Sequence, residues 1–316
     1  MNREHIAFVF PGQGSQFVGM GRTLAESSPE ARAVFDEIDA VLGRPVSRLC
    51  FEGPEPTLRQ TAETQPAVFA ASVAAWAALQ AAGVEGSMTA GHSLGEYAAL
   101  VAAGSLDLAT AARLVEIRGR AMDEAGRRRP GAMAAVLGLA ADRVPAVAEA
   151  AAAAGLIVPA NWNAPDQVVF AGEPAGIERA VELARAQGAR RALKLNVSGA
   201  FHSPLMAAAT APVGEALAGA RIFSPTRLRF ISNVTADFED DPTKIGELLV
   251  RQLTSPVRWV EVVQRLVRSG AQVIVEVGPG SVLTGLARRI DAALKCYNFN
   301  DTSDLARMKA EIERVP

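Results

Sequence analysis

The run Gly91-His92-Ser93-Leu94-Gly95-Glu96 constrains this chain more than any other stretch. Small and apolar residues lead into it and Tyr97-Ala98-Ala99-Leu100-Val101 leads out, a pattern that predicts a strand, a sharp turn and a helix with one serine at the apex. Glycines two positions either side of Ser93 relieve the crowding of such a turn, so the hydroxyl can project into a cleft beside the N–H of Leu94. The helix then brings the positive end of its dipole beneath the same point. A second reading uses the same residues. Ser93 followed three positions on by Glu96 also matches a capping box, in which both side chains only satisfy backbone donors. A capping box, however, has no need of Gly91 and Gly95.

The chain has 316 residues, 49% hydrophobic and 21% charged, enough for one large domain or a large domain carrying a smaller one. Its net charge of −2 provides no global field to recruit nucleic acid or an acidic membrane, so neither is expected as a partner. Cys50 and Cys296 lie far apart without metal-ligand spacing, which argues against a metal site and against a disulfide framework. The apolar stretch from Ile6 to Phe10 is too short for a signal sequence and ends in Pro11-Gly12; it reads as a buried strand of a cytoplasmic protein. The apolar run from Pro66 to Ala82 includes Ser72 and Gln80 and stops at Gly83, as a core helix would.

A second apolar run, Val273-Ile274-Val275-Glu276-Val277, ends at Gly278-Pro279-Gly280. Together with the runs at 6–10 and before Ser93, it predicts an α/β fold in which a mostly parallel sheet gathers its reactive loops at the carboxyl ends of the strands. After Arg127-Arg128-Arg129-Pro130-Gly131 the pattern changes. It reads as strand 132–139, helix 141–154, strand 156–162, a turn at Ala164-Pro165-Asp166, strand 167–171, helix 174–187 and strand 190–197. That β-α-β-β-α-β order is the ferredoxin-like, split βαβ motif. The expected organisation is a discontinuous large domain, 1–128 and 198–316, with a small ferredoxin-like domain, 129–197, inserted in it and a cleft between the two.

A serine nucleophile needs a base, and the chain has three histidines. His5 precedes the first strand, and His92 is expected to point to the opposite side of the backbone from Ser93. That leaves His202, in Ser198-Gly199-Ala200-Phe201-His202-Ser203-Pro204, where the chain returns from the inserted unit. A packed, hydrogen-bonded core histidine is the alternative use of such a residue. Gln13 lies in Phe10-Pro11-Gly12-Gln13-Gly14-Ser15-Gln16, where a misplaced third glycine and a missing lysine argue against a phosphate loop. The Gln13 and Leu94 N–H groups can instead form an oxyanion hole, unless the first turn is only a tight turn. Arg118 sits late in a helix that begins near Leu108, beside Gly119 and one turn before Met122. It belongs either to a solvated face or to a pocket in which its planar guanidinium holds a substrate carboxylate.

Taken in order, Phe-Pro-Gly-Gln-Gly-Ser-Gln at 10–16, Gly-His-Ser-Leu-Gly-Glu at 91–96, Arg118-Gly119, Ala200-Phe201-His202, Gln252 ahead of Pro256-Val257, and Val277-Gly278-Pro279-Gly280 resemble the malonyl-CoA:acyl carrier protein transacylases. The resemblance runs from residue 6 to about 290. It implies a serine–histidine acyltransferase of fatty acid synthesis on a hydrolase-like α/β core, with malonyl-CoA and an acyl carrier protein as partners and no cofactor. By position it implies Ser93 as nucleophile, His202 as general base and acid, Arg118 as carboxylate clamp with Met122 beside it, and Gln13 and Leu94 as oxyanion donors. The resemblance also implies that Gln252 orients the histidine through a carbonyl and that Asn161 and Asn163 line the cleft near the thioester or pantetheine. Gly199 stands where many malonyl-selective polyketide synthase domains carry histidine. Phe201 is kept, and its bulk implies malonyl over methylmalonyl. A free-standing polyketide acyltransferase and a serine thioesterase are the competing readings. Arg190, Arg191, Lys194, Arg288 and Arg289 are candidate contacts for an acidic carrier.

Overall fold

In the computed structural model of the chain, which describes residues 5–312, the sheet that positions the chemistry is wholly parallel. Its strands are β1 (Ile6–Phe10), β2 (Met88–Gly91), β7 (Arg229–Ile231), β8 (Val273–Val277) and β9 (Lys295–Phe299), in spatial order β7-β2-β1-β8-β9. β1 and β8 are buried along their whole length, as continuous apolar runs are in a parallel sheet covered on both faces. The exception in composition is Glu276. Its buried carboxylate accepts the N–H groups of Leu283 at 3.0 Å and Thr284 at 2.8 Å, capping the helix Val282–Ile290. The helix Thr61–Ala81 is buried on nearly every side, which fits its largely apolar sequence from Pro66 onward. The helix Leu108–Arg128 lies against it so closely that a Cβ on Gly119 would come within 3.3 Å of the Ala62 Cα.

A second, antiparallel sheet uses β3 (Ala132–Leu137), β4 (Ile157–Ala164), β5 (Gln167–Gly172) and β6 (Arg191–Lys194) in the order β4-β5-β3-β6. The helices Val144–Ala151 and Pro174–Ala186 pack on it through Val147, Ile177 and Ala180 against Ala134, Val136 and Phe170. The chain order is the β-α-β-β-α-β read from the sequence. Boundaries shift by a residue or more at most elements, β3 ending at Leu137 and β4 running on to Ala164, and two elements differ further. The alanine-rich stretch 141–154 is α-helical only over Val144–Ala151, whose first turn accommodates Pro145 because no N–H is needed there; it is 3-10 at both ends, and Gly155 with φ 155° ends the run. The last strand stops at Lys194, beyond which only Leu195 still reaches β3, donating to the Met133 carbonyl at 2.9 Å.

The two sheets are joined edge to backbone. Trp162 donates its N–H to the Val257 carbonyl at 2.9 Å, and Val257 donates to the Ala160 carbonyl at 2.8 Å, so the outer edge of β4 is paired by a segment that follows the helix Pro242–Gln252. Among the described residues no helix is long and apolar enough to cross a membrane.

Candidate active site

The site forms at the carboxyl ends of β1, β2 and β7, where the chain leaves the parallel sheet. After β2 it turns so sharply that a Cβ on Gly91 would lie 1.9 Å from the carbonyl carbon of Gly95, and one on Gly95 would lie 2.1 Å from the Phe10 oxygen. Neither position admits a side chain. Between them Ser93 holds a left-handed φ of 53°, which a non-glycine residue adopts only when its surroundings enforce it. The surroundings here include Asn233, just past β7. It accepts the Ser93 N–H at 2.7 Å through Oδ1 and donates Nδ2 to the Gly91 carbonyl at 2.6 Å.

The Ser93 hydroxyl meets His202 Nε2 at 2.7 Å, and His202 Nδ1 meets the Gln252 carbonyl at 2.9 Å. A carbonyl only accepts, so Nδ1 carries the proton and Nε2 is left to accept from the serine. His202 is buried, and burial, with the Arg118 charge beside it, depresses its pKa to about 3 against the opposing pull of the Gln252 carbonyl. The imidazole is therefore neutral, the form in which it can take a proton. The capping-box alternative is not what the chain adopts: the following helix, Gly95–Ala103, has Leu94 as its N-cap residue and no side-chain cap. Glu96 instead turns inward to the Asn233 N–H and the Gln252 amide.

Arg118 is 1% exposed, not on a solvated face. It donates to Gln65 Oε1 at 2.6 Å, Ser93 Oγ at 3.0 Å and Gln252 Oε1 at 2.7 Å, and none of these partners is a carboxylate. Its Nε has no partner among the described residues, and burial pulls its pKa down. Met122 packs next to it, with its sulfur 3.4 Å from Gln65 Nε2. Gln13 and Leu94 reach the same place, and neither backbone N–H is bonded within the described residues. The Gln13 side chain donates to Thr61 Oγ1 at 3.2 Å, and the turn is pressed onto the elbow: a Cβ on Gly12 would lie 2.4 Å from the His92 oxygen. Asn161, Asn163 and Phe201, all buried, complete a cavity of about 160 Å³ with Met133 and Val169. Every residue expected at the site lines it or touches a residue that does.

Residues 7–309 match the family described as the acyl transferase domain. The chain belongs to that family. The acyltransferase is 43% identical over 297 residues to the malonyl CoA-acyl carrier protein transacylase of Bacillus subtilis (strain 168), covering 94% of this chain and 93% of that one. It is 44% identical over 302 residues to the protein of the same name from Escherichia coli (strain K12), covering 95% and 97%. Its structure is similar to that of an acyl carrier protein S-malonyltransferase from Vibrio cholerae O1, with a TM-score of 0.93, 43% identity and 96% and 99% of the two chains covered. It is also similar to a malonyl-transacylase solved in complex with a type II polyketide synthase acyl-carrier protein, with a TM-score of 0.93, 42% identity and 97% and 99% covered.

His92 is a correction to the sequence reading. In the acyltransferase it points into the cleft, where its Nε2 lies 2.9 Å from Asn163 Oδ1 and its ring packs on Trp259, because the turn that follows leaves strand geometry and the alternation of sides no longer holds. Asn233 has no place in the sequence reading, and Glu96 enters it only as the partner of Ser93 in a capping box. The pattern Phe230-Ile231-Ser232-Asn233, an apolar pair followed by turn residues, is the only sequence trace of the first. Of the candidate carrier contacts, Lys194 pairs with Glu178 at 2.5 Å, Arg289 with Asp166, and Arg190 approaches Asp166 at 3.9 Å. Arg288 donates to the Cys296 carbonyl at 2.7 Å; it and Arg191 are both exposed and have no ion-pair partner among the described residues.

Proposed function

We propose that this acyltransferase moves a malonyl group from malonyl-CoA to the phosphopantetheine thiol of an acyl carrier protein by way of a malonyl ester on Ser93. One observation carries the reading: a buried arginine without a carboxylate partner opens beside a hydrogen-bonded serine–histidine pair, a place made for an acyl group that ends in a carboxylate. The names of the relatives support the same reaction.

Ser93 Oγ attacks the thioester carbonyl while its proton passes to His202 Nε2; the carbon–sulfur bond then breaks and the leaving CoA sulfur takes that proton. In the second half the carrier thiol gives its proton to His202 and attacks the ester, and Ser93 recovers the proton as its bond to the acyl carbon breaks. One thioester is exchanged for another, so the balance requires neither an oxidant nor a metal nor any other cofactor. The Gln13 and Leu94 N–H groups hold the negative oxygen of each tetrahedral intermediate, Gln252 fixes the tautomer of His202, and Arg118 pairs with the malonyl carboxylate. Met122 and Phe201 flank the acyl chain, and Phe201 crowds an α-methyl group, which favours malonyl over methylmalonyl. Asn161 and Asn163 serve the thioester and pantetheine amides.

The same reading takes 1–128 and 198–316 as a hydrolase-like catalytic domain and 129–197 as an inserted ferredoxin-like domain, with the carrier approaching over Arg190 and Arg191. It also takes the protein as cytoplasmic, in keeping with two buried free thiols. Mass spectrometry of the protein after incubation with malonyl-CoA, then with carrier, tests it. A malonyl adduct on Ser93 that passes to the carrier is expected. An adduct on another residue, or release of free malonate in place of transfer, overturns it.

A further inference from the structure

We infer that Glu96 is a positioning residue for the transfer: it locks the Gln252 amide in the orientation that holds His202 on Ser93 while leaving Arg118 open to the substrate carboxylate. The inference rests on the roles just proposed for Ser93, His202 and Arg118.

Glu96 is wholly buried in the first turn of the helix that follows the elbow. One carboxylate oxygen accepts the backbone N–H of Asn233, the residue that clamps the Ser93 N–H. The other accepts from Gln252 Nε2. Gln252 donates its second amide hydrogen to the Ser93 carbonyl at 2.9 Å and accepts from Arg118 Nη2 at 2.7 Å, so its side chain is satisfied in one orientation only. Turned over, the amide would set its NH2 against a guanidinium and its oxygen against a carboxylate. The same residue's backbone carbonyl receives His202 Nδ1–H at 2.9 Å. One glutamine thus carries the base on its main chain and the clamp on its side chain, and Glu96 is what fixes that side chain.

The spacing has a chemical reason. A carboxylate directly on Arg118 would occupy the guanidinium face that a substrate carboxylate needs. With the Gln252 amide interposed, Arg118 is oriented by a neutral oxygen and the acid stays one hydrogen bond further away. Glu96 is also the acceptor that both buried N–H donors rely on, and a buried donor left without one is costly.

Glu96→Gln is the decisive variant, because it keeps the volume and removes one acceptor. Its remaining oxygen can satisfy the Asn233 N–H, which sets its NH2 against that of Gln252. Single-turnover acylation of Ser93 by saturating malonyl-CoA is measured for the wild type, E96Q, Q252A and the double variant, with thermal unfolding to verify folding. E96Q is expected to slow acylation by at least about tenfold, with the KM for malonyl-CoA changed less than the rate. E96Q on top of Q252A should cost no further factor beyond about twofold, since the conflict is with the removed amide. E96D, which keeps both oxygens, should recover part of the rate, and it replaces E96Q in the cycle if that variant does not fold. A folded variant that acylates at the wild-type rate, or losses that multiply in the double variant, overturn the inference. Absence of acylation in the wild type would instead overturn the proposed reaction.

Discussion

Ser93 and His202 meet at 2.7 Å although 109 positions separate them, and both hold the backbone in the left-handed region, at φ 53° and 59°. Two strained non-glycine residues facing each other signal that packing on both sides, not local preference, sets the geometry of the pair. On one side the strain is held by Gly91, Gly95 and Asn233; on the other, the His202 ring is held by the Gln252 carbonyl.

The elbow glycines therefore tolerate no methyl group. Gly95→Ala would set a Cβ 2.1 Å from the Phe10 oxygen, a contact with backbone that no rotamer relieves. Destabilisation of about 3 kcal/mol, at the upper end for overpacking, is expected, together with loss of acylation. Urea unfolding of G95A measures the first and malonyl labelling the second; a variant with wild-type stability would show that the elbow can relax.

Asn233→Ala removes the acceptor of the Ser93 N–H and the donor to the Gly91 carbonyl. Leaving these groups unsatisfied costs about 1–3 kcal/mol each. Acylation should fall along with stability, because Ser93 loses the bond that holds its φ. Unchanged acylation in N233A would place the support of the elbow elsewhere.

Activity should persist to unusually low pH. An ordinary imidazole titrates near 6.5, whereas burial and the Arg118 charge bring His202 to about 3. The acid limb of kcat/KM should thus lie well below pH 6.5, and R118A, which removes the second of these causes, should move it upward. The pH profiles of both proteins between 3 and 8 provide the check, and a wild-type limb at 6.5 would contradict it.

Arg118→Ala should also cost the enzyme its preference among acyl groups. A hydrogen bond to a charged partner contributes about 1.5–3 kcal/mol, or roughly 10- to 150-fold, so malonyl transfer should drop by that order while acetyl transfer changes less. Parallel acylation rates with malonyl-CoA and acetyl-CoA measure the ratio. Equal losses for both would remove Arg118 from the acyl carboxylate.

The strands at 6–10 and 273–277 were legible because strands buried on both faces read as near-continuous apolar runs, and the one at 88–91 because apolar and small residues lead into a glycine-flanked turn. The β-α-β-β-α-β order was legible from alternation and turn residues. Ser93 and His202 were legible for a different reason: a reactive serine needs a base, and three histidines leave little choice. What stayed hidden depends on elements meeting in space. β7 is only three residues long and carries no periodicity, so Asn233 was invisible. The direction of His92 turned on the backbone leaving strand geometry one residue later. Arg118 in a helix looks the same in sequence whether it faces water or Gln252, and Gly199 shows its purpose only where its α-carbon approaches Gly126, since a Cβ there would lie 3.3 Å from the Gly126 Cα.

The paired backbone bonds between β4 and Val257 stitch the cleft shut along one flank. On the far side, Gln13, Leu195 and Val197 border both the reactive cavity and a neighbouring hollow of about 360 Å³. Under the reaction proposed above, a long, thin arm carrying an acyl group has that unstitched flank as its way in.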